Sequence, residues 1–432
     1  MNVPTIGDNS TTVATPYATT RFGLAATHGS GYRSWRVEDL IRPGLRRNPR
    51  RAHLWVSTVL GKHIPVAPST IFAAADDLGD LAVRALADRG QRDGLVFGFA
   101  ETATGLGHAV ARRIDATMYL QSTRRNAADV PVAARFEEGH SHATDHLIVP
   151  TDPAVLSTDL PVVLVDDEIS TGATALDAIR SMQEIHPRSL YVVASLVDMR
   201  TNDDIVRCEQ RADALGTSVH FVSLAQGATQ IPPDLTDRVL QLPAPSPAAA
   251  RERGHVERLD VAWPTHVPDG GRYGFSRSDW PHFDHAVTEV TERVVGRLDA
   301  TRPTVVIGHE ELMYLPQRIA AELSVWSEAP VLSQTTTRSP AHVIDDPTYP
   351  LRRGYHFQAP EPDDARDRYL YNATHDHDGA RVVMIVDSPA DTTALSGPGG
   401  LVDVVSARGD DLLLVVVPAT DYRLLRAART NG

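Results

Sequence analysis

The stretch Val162-Val163-Leu164-Val165-Asp166-Asp167-Glu168-Ile169-Ser170-Thr171-Gly172-Ala173-Thr174 constrains the fold more than any other part of the chain. Four consecutive apolar residues read as a strand buried on both faces, which calls for a parallel sheet covered by helices. Two adjacent carboxylates end that strand. A Ser/Thr/Gly loop then opens a helix, in which Leu176, Ile179, Met182 and Ile185 form an apolar stripe at three-residue spacing. Amides at a helix start, beside the hydroxyls of Ser170, Thr171 and Thr174, make a cup for a phosphate dianion. Gly172 is expected to let the backbone approach that ligand without a Cβ in the way. Desolvated neighbouring carboxylates push each other toward protonation unless cations or hydroxyl donors compensate, and a sugar diol with a Mg²⁺-bound polyphosphate supplies both. The stretch is neither a Walker A loop nor a G-x-G-x-x-G turn.

The same texture recurs along the chain. LVFGFA (95–100), TMYLQS (117–122), HLIVP (146–150), LYVVASLV (190–197) and VHFVSLA (219–225) alternate with helical patterns, as in a doubly wound sheet. VEDLI (37–41) and DDLGDLAVRALAD (76–88) read as amphipathic helices. Residues 1–20 lack periodicity and read as a disordered tail. Residues 242–256 (LPAPSPAAARERGHV) read as a linker, separating a domain at 21–241 from a second at 257–432. The second half returns to strands at PTVVIGH (303–309), PVLSQTT (330–336), ARVVMIVDS (380–388) and DLLLVVVP (411–418). Both domains are therefore expected to be α/β, with doubly wound, mainly parallel sheets. The halves also echo each other: PVVLVDD lies over RVVMIVDS, and YLQSTRR over LSQTTTRSP. This order suggests a duplication whose second copy is degenerate.

Composition narrows the function. The 432 residues carry a net charge of −13, which disfavours sequence-independent nucleic-acid binding. No apolar run is long enough to span a membrane and the N-terminus lacks a signal pattern, so a cytoplasmic location is expected. A single cysteine, Cys208, excludes an intramolecular disulfide framework. Of 42 basic residues only Lys62 is lysine, either a chance survivor or a place that needs a compact ammonium.

The 162–174 stretch resembles the phosphoribosyl pyrophosphate (PRPP) loop of type I phosphoribosyltransferases. The resemblance implies that Asp166 and Asp167 hold the ribose hydroxyls and that Glu168, Ile169, Ser170, Thr171, Gly172, Ala173 and Thr174 surround the 5′-phosphate. It implies a pyrophosphate loop after the first core strand, at Ala100, Glu101, Thr102 and Ala103, where a plain β–α turn is the other reading. Arg124 and Arg125, at the end of the next strand, become candidate pyrophosphate cations, or else a solvated turn. Residues 126–145 would be a lid. Within it His140 and His142 are candidates for acid/base work or leaving-group contact, or part of an exposed polar loop.

Further segments are similar to the phosphoribosyltransferase-like proteins of bacterial tellurite-resistance gene clusters: Asn48-Pro49-Arg50-Arg51, Leu60-Gly61-Lys62-His63, Ser122–Arg125 and Thr337-Arg338-Ser339-Pro340. The last names that family's second domain. The similarity implies a ligand role for Lys62 and a place in making a nucleoside-like metabolite. In the second half Glu310, Glu311, Arg338 and Asp387 stand where the first half has its ligand-facing elements. Ser388-Pro389-Ala390-Asp391 cannot rebuild the phosphate cup, because Pro389 has no N–H. That domain is read as scaffold, second ligand site or acceptor-binding lobe. HDHDG (375–379) reads as a turn rather than a metal site.

The expected activity is phosphoribosyl transfer from PRPP to an unidentified base-like acceptor, with pyrophosphate released. Mg²⁺ would arrive with PRPP rather than on protein ligands. Neither nucleic acid nor membrane is an expected partner, and a homodimer is left open. A PRPP-sensing regulator and a PRPP synthase-like enzyme are the alternatives. The first lacks a visible output domain, and the second carries its intact loop in the other domain.

Overall fold

The computed structural model describes residues 14–125, 130–137, 145–243, 252–362, 364, 366–374 and 379–430. Strands that are apolar on both faces can hide only between layers of helix, and the apolar runs pair accordingly. The first sheet runs, in spatial order, Ala25–Gly31, Ser218–Gln230, Leu190–Asp198, Val162–Ile169, Leu95–Gly98, Met118–Gln121 and Phe275–Ser276. Its inner five strands are parallel and its two edges antiparallel. Helices Pro68–Ala87 and Thr104–Arg113 cover one face, packing Leu78 and Val110 with Val163 and Val192. Helix Ala173–Ile185 covers the other, packing Leu176, Ile179 and Met182 with Leu164 and Tyr191. Ile185, expected in that stripe, is 36% exposed at the helix end.

The second sheet orders Val256–Asp260, Asp411–Val417, Arg381–Asp387, Thr304–Gly308 and Val331–Thr335, all parallel. In each sheet the winding reverses once. The reversal lies between Leu95–Gly98 and Val162–Ile169 in the first sheet, and between Thr304–Gly308 and Arg381–Asp387 in the second. At such a switch point the loops leaving the strands diverge and open a crevice.

Three local expectations change. VEDLI forms a single helical turn, Val37–Leu40, because Ile41 starts a strand paired with His53–Ser57. Helix Tyr17–Phe22 begins inside the stretch read as a tail, and residues 1–13 lie outside the described residues. Phe275 and Ser276, from the second half, pair with Met118 and Tyr119 in the first sheet. We propose that the domain boundary still lies in 242–256, of which 244–251 are outside the described residues. One apolar core runs unbroken from Leu78 and Val110 to Phe283, Val287 and Ile319 of the second half. Among the described residues no helix is long and apolar enough to cross a membrane.

Candidate active site

A cavity of about 460 Å³ opens at the first sheet's switch point, and every residue from Asp166 to Ala175 lines it. Ala173 N reaches only Thr171 Oγ1, at 3.3 Å, and Leu176 N is bound to Gly172 O at 3.1 Å. Among the described hydrogen bonds none uses the N–H groups of Thr171, Gly172, Thr174 or Ala175. Unpaired amides at the positive end of a thirteen-residue helix, facing a cavity, form an anion seat. The reason for Gly172 differs from the one expected. Its φ is +80°, and a Cβ there would lie 2.5 Å from Cys208 Sγ, which donates to Thr171 O at 3.3 Å. Glycine is required by a left-handed turn packed on the single cysteine.

Opposite this seat, Ala100, Glu101 and Thr102 line the cavity, whereas Ala103 is buried in the core beneath it. Lys62 also lines it; its ammonium donates to Thr102 Oγ1 and lies 3.3 Å from Glu101. Glu101 in turn accepts from the Arg338 backbone N–H at 3.3 Å, with the Arg338 Nε at 3.7 Å. Burial alone would raise the Glu101 carboxyl, but Lys62 and Arg338 hold it below the usual range. Arg338 continues to Glu310, which also accepts from Arg368, and Arg368 to Asp364. A buried chain of alternating charge thus crosses from one domain to the other. The Thr337–Pro340 motif lies on the cavity wall as part of it.

The two domains meet through reciprocal contacts. Ser122 N bonds Gly98 O and Thr336 N bonds Gly308 O, each at 3.1 Å. Ala100 N donates to Ser122 Oγ, as Glu310 N does to Thr336 Oγ1. Thr123 pairs with Leu147 as Thr337 pairs with Tyr369. Glu101 reaches the Arg338 amide, and Glu311 reaches the Arg124 amide at 2.7 Å and Thr123 Oγ1 at 2.7 Å. The register places Asp387 where the first domain has Asp167.

This reciprocity corrects the roles expected of several residues. Arg125 does not line the cavity: it is 8% exposed and pairs with Asp387 and Glu361. It thereby fills the second domain's switch-point crevice, and Arg125 with Arg272 keeps buried Asp387 ionised, its carboxyl lowered despite desolvation. Glu311 and Asp387 likewise hold the domains together rather than line the cavity, and Glu310, also absent from its lining, pairs with Arg338 and Arg368 within the second domain. Arg125→Ala should therefore cost about 3–5 kcal/mol in urea unfolding, because it strands a buried charge. Arg125→Met with Asp387→Leu should recover most of that loss.

Arg124 does line the cavity. Its Nη2 donates to His146 Nε2 at 3.1 Å, leaving Nδ1–H to serve Ser122 Oγ at 2.8 Å, while Phe136 stacks on the ring at 4.6 Å. His146 thus ties Arg124, through Ser122, to the loop that begins at Ala100 and to the hairpin Ala134–Glu137/Asp145–Ile148. Sequence reading missed it, because in HLIVP it looks like a strand edge. It also missed Arg46, Trp55, Arg366, Arg368 and Tyr369, which line the cavity and carry no local signal. His140, His142 and residues 375–378 lie outside the described residues.

A crevice at a switch point, bearing an acid pair, an anion seat and facing cations on a doubly wound sheet, agrees with what the resemblance to type I phosphoribosyltransferases implies. Residues 40–228 match the family described as phosphoribosyl transferase, and residues 269–405 match the TRSP domain found C-terminal to it. Residues 40–228 thus carry this phosphoribosyltransferase domain and residues 269–405 the TRSP domain that follows it, in the order the motifs implied. It is also similar to the adenine phosphoribosyltransferase of Rhodothermus marinus, at 20% identity over 44% of this chain and 96% of that one, with TM-score 0.30. The Trypanosoma brucei adenine phosphoribosyltransferase, solved with AMP, pyrophosphate and ribose-5-phosphate, matches at 15% over 49% and 84%, with TM-score 0.32. No curated protein matches the chain.

Proposed function

We propose that the chain transfers the 5-phosphoribosyl group of PRPP to a base-like acceptor, as a step in making a nucleoside-like metabolite. The observation that carries this reading is the set of unpaired amides of Thr171, Gly172, Thr174 and Ala175, just past Asp166 and Asp167 on one cavity wall. The 5′-phosphate would sit on those amides and the ribose diol on the two aspartates. The pyrophosphate would face Ala100–Thr102, Lys62 and Arg124, with Arg338 contributed by the second domain. In the reaction the C1–O bond to pyrophosphate breaks and its electron pair leaves with pyrophosphate. The acceptor's lone pair forms the new bond to C1, and the acceptor's proton is released. Fixed cations lower the barrier by matching charge that develops on the leaving group.

With Asp166 and Asp167 given to the ribose diol, Mg²⁺ would be held by the PRPP phosphates, whose oxygens are the hard donors it uses. Bound in that way, Mg²⁺ would neutralise pyrophosphate charge. Among the described residues the closest His/acid grouping is His309, Glu310 and Glu361, and it does not fit a cation. Glu310 is taken by Arg338 and Arg368, and Glu361 by His309.

Titration calorimetry of the full chain with PRPP and Mg²⁺ tests the reading, and absence of binding would end it. Lys62→Met should reduce turnover by about 100-fold. Glu101 keeps the Arg338 amide and guanidinium in that variant, so the expected stability loss is only about 1–3 kcal/mol. Unfolding and pyrophosphate-release assays on one preparation separate the two effects, and an unchanged turnover would make Lys62 purely structural.

A further inference from the structure

We infer that the acceptor is a flat heterocycle bearing a carboxylate, a conclusion that rests on the PRPP reading above. The phosphate seat, the aspartates and the pyrophosphate loop account for one side of the cavity. The remaining wall is the hairpin Ile41–Leu45/His53–Ser57 with its connecting loop, joined to the TRSP segment. On the diol side Arg51 Nη2 donates to both Glu168 oxygens, at 3.0 and 3.1 Å. On the pyrophosphate side Arg47 N bonds Pro340 O and His342 N bonds Leu45 O, each at 2.8 Å, two residues from Arg338 or a little beyond. The hairpin therefore spans both halves of the PRPP site and roofs the point between them, where C1 would lie.

What this roof presents is specific. Leu54, Trp55, Pro340 and Tyr369 offer flat, apolar faces, which suit a planar ring. Arg51 and Arg366 stand among them. Arg51 uses Nε on His53 and Nη2 on Glu168, and Arg366 uses Nε and Nη2 on Asp364. Among the described hydrogen bonds neither Nη1 has an acceptor. A neutral base would leave these guanidinium donors without a matching group, whereas a ring carboxylate would accept from them. The surroundings are electropositive: burial, with Arg51 and Arg46 adding, drives the His53 imidazole down to about 3. His63 is likewise kept neutral, by burial and then by Lys62 and Arg46.

The test uses matched pairs that differ by a carboxylate: uracil against uracil-6-carboxylate, and nicotinamide against nicotinate. PRPP binding with Mg²⁺ is measured first on the full chain, since its failure would sink the transfer reading itself and this inference with it. Each base is then added to PRPP-loaded protein, and both its binding and pyrophosphate release are read. Within a pair the carboxylate should be favoured by at least about 10-fold, and Arg51→Gln should reduce that preference to about 3-fold or less with PRPP binding retained. Arg366→Gln, at the half-exposed rim, should act in the same direction if Arg51→Gln fails to fold. Equal or better use of the neutral partners would overturn the inference. So would a protein that binds PRPP and ignores all four bases.

Discussion

Replacing Asp166 and Asp167 together by asparagine should eliminate measurable PRPP binding while leaving the protein folded. Both residues line the cavity at the carboxyl end of a central strand, and both stay partly accessible. An amide keeps the shape and can still accept the Asp167 N–H, which now bonds Asp166 Oδ1 at 2.9 Å. It loses the anionic acceptor that a ribose hydroxyl prefers. Each charged hydrogen bond contributes about 1.5–3 kcal/mol, so losing two weakens binding by roughly a hundredfold to ten-thousandfold. Calorimetry and thermal unfolding on the same preparation decide the matter. Unchanged PRPP affinity would show that the ribose lies elsewhere, whereas lost affinity with lost folding would leave the aspartates structural.

The second large effect is acid instability that begins near neutrality. His63 and His108 are buried, and desolvation holds both imidazoles well below the ordinary value, helped at His63 by Lys62 and at His108 by Arg318. His108 stacks on Tyr119 at 4.5 Å and on Tyr314 at 4.0 Å, and neither of its nitrogens has a hydrogen-bond partner. A depressed folded value means that the unfolded chain binds protons first as the pH drops through about 6.5. Stability is therefore fully present above that point and declines below it, by about 1.4 kcal/mol per pH unit for each histidine. Between pH 7.5 and 5.5 the two together should remove about 2.7 kcal/mol, before the carboxylates begin to titrate. Urea unfolding across that range measures the slope. His53 and His342, held by burial at about 3 and about 4, add to the same slope. His108→Leu should therefore remove about 1.4 kcal/mol of the loss between those pH values, and a slope unchanged by the substitution would rule His108 out as a source.

Much of the fold was legible because burial on both faces writes itself into composition. Each strand read from an apolar run is present, although HLIVP pairs in a separate hairpin and not in the sheet, and the acid pair, the Ser170–Thr174 loop and Lys62 stand together at one cavity. The site residues that could not be read are of two kinds. Arg125 and Asp387 have the right types at the right strand ends, but whether an arginine meets a ligand or an internal carboxylate depends on which domain faces it. Arg46, Trp55, His146, Arg366 and Tyr369 belong to segments with no motif, and only the packing of hairpins against strand ends brings them to the cavity.

The linear chain by itself determined two doubly wound domains, and a loop that opens a helix just past an acid pair, since periodicity, a strand-ending acid pair and helix-start amides are local properties. The tertiary structure alone decided that the second domain is a wall of the first domain's site and that its own crevice is closed by Arg125. It also decided that Gly172 answers to Cys208. Each of these depends on a contact between residues far apart in sequence, where geometry and charge are set by the partner and not by the neighbouring chain.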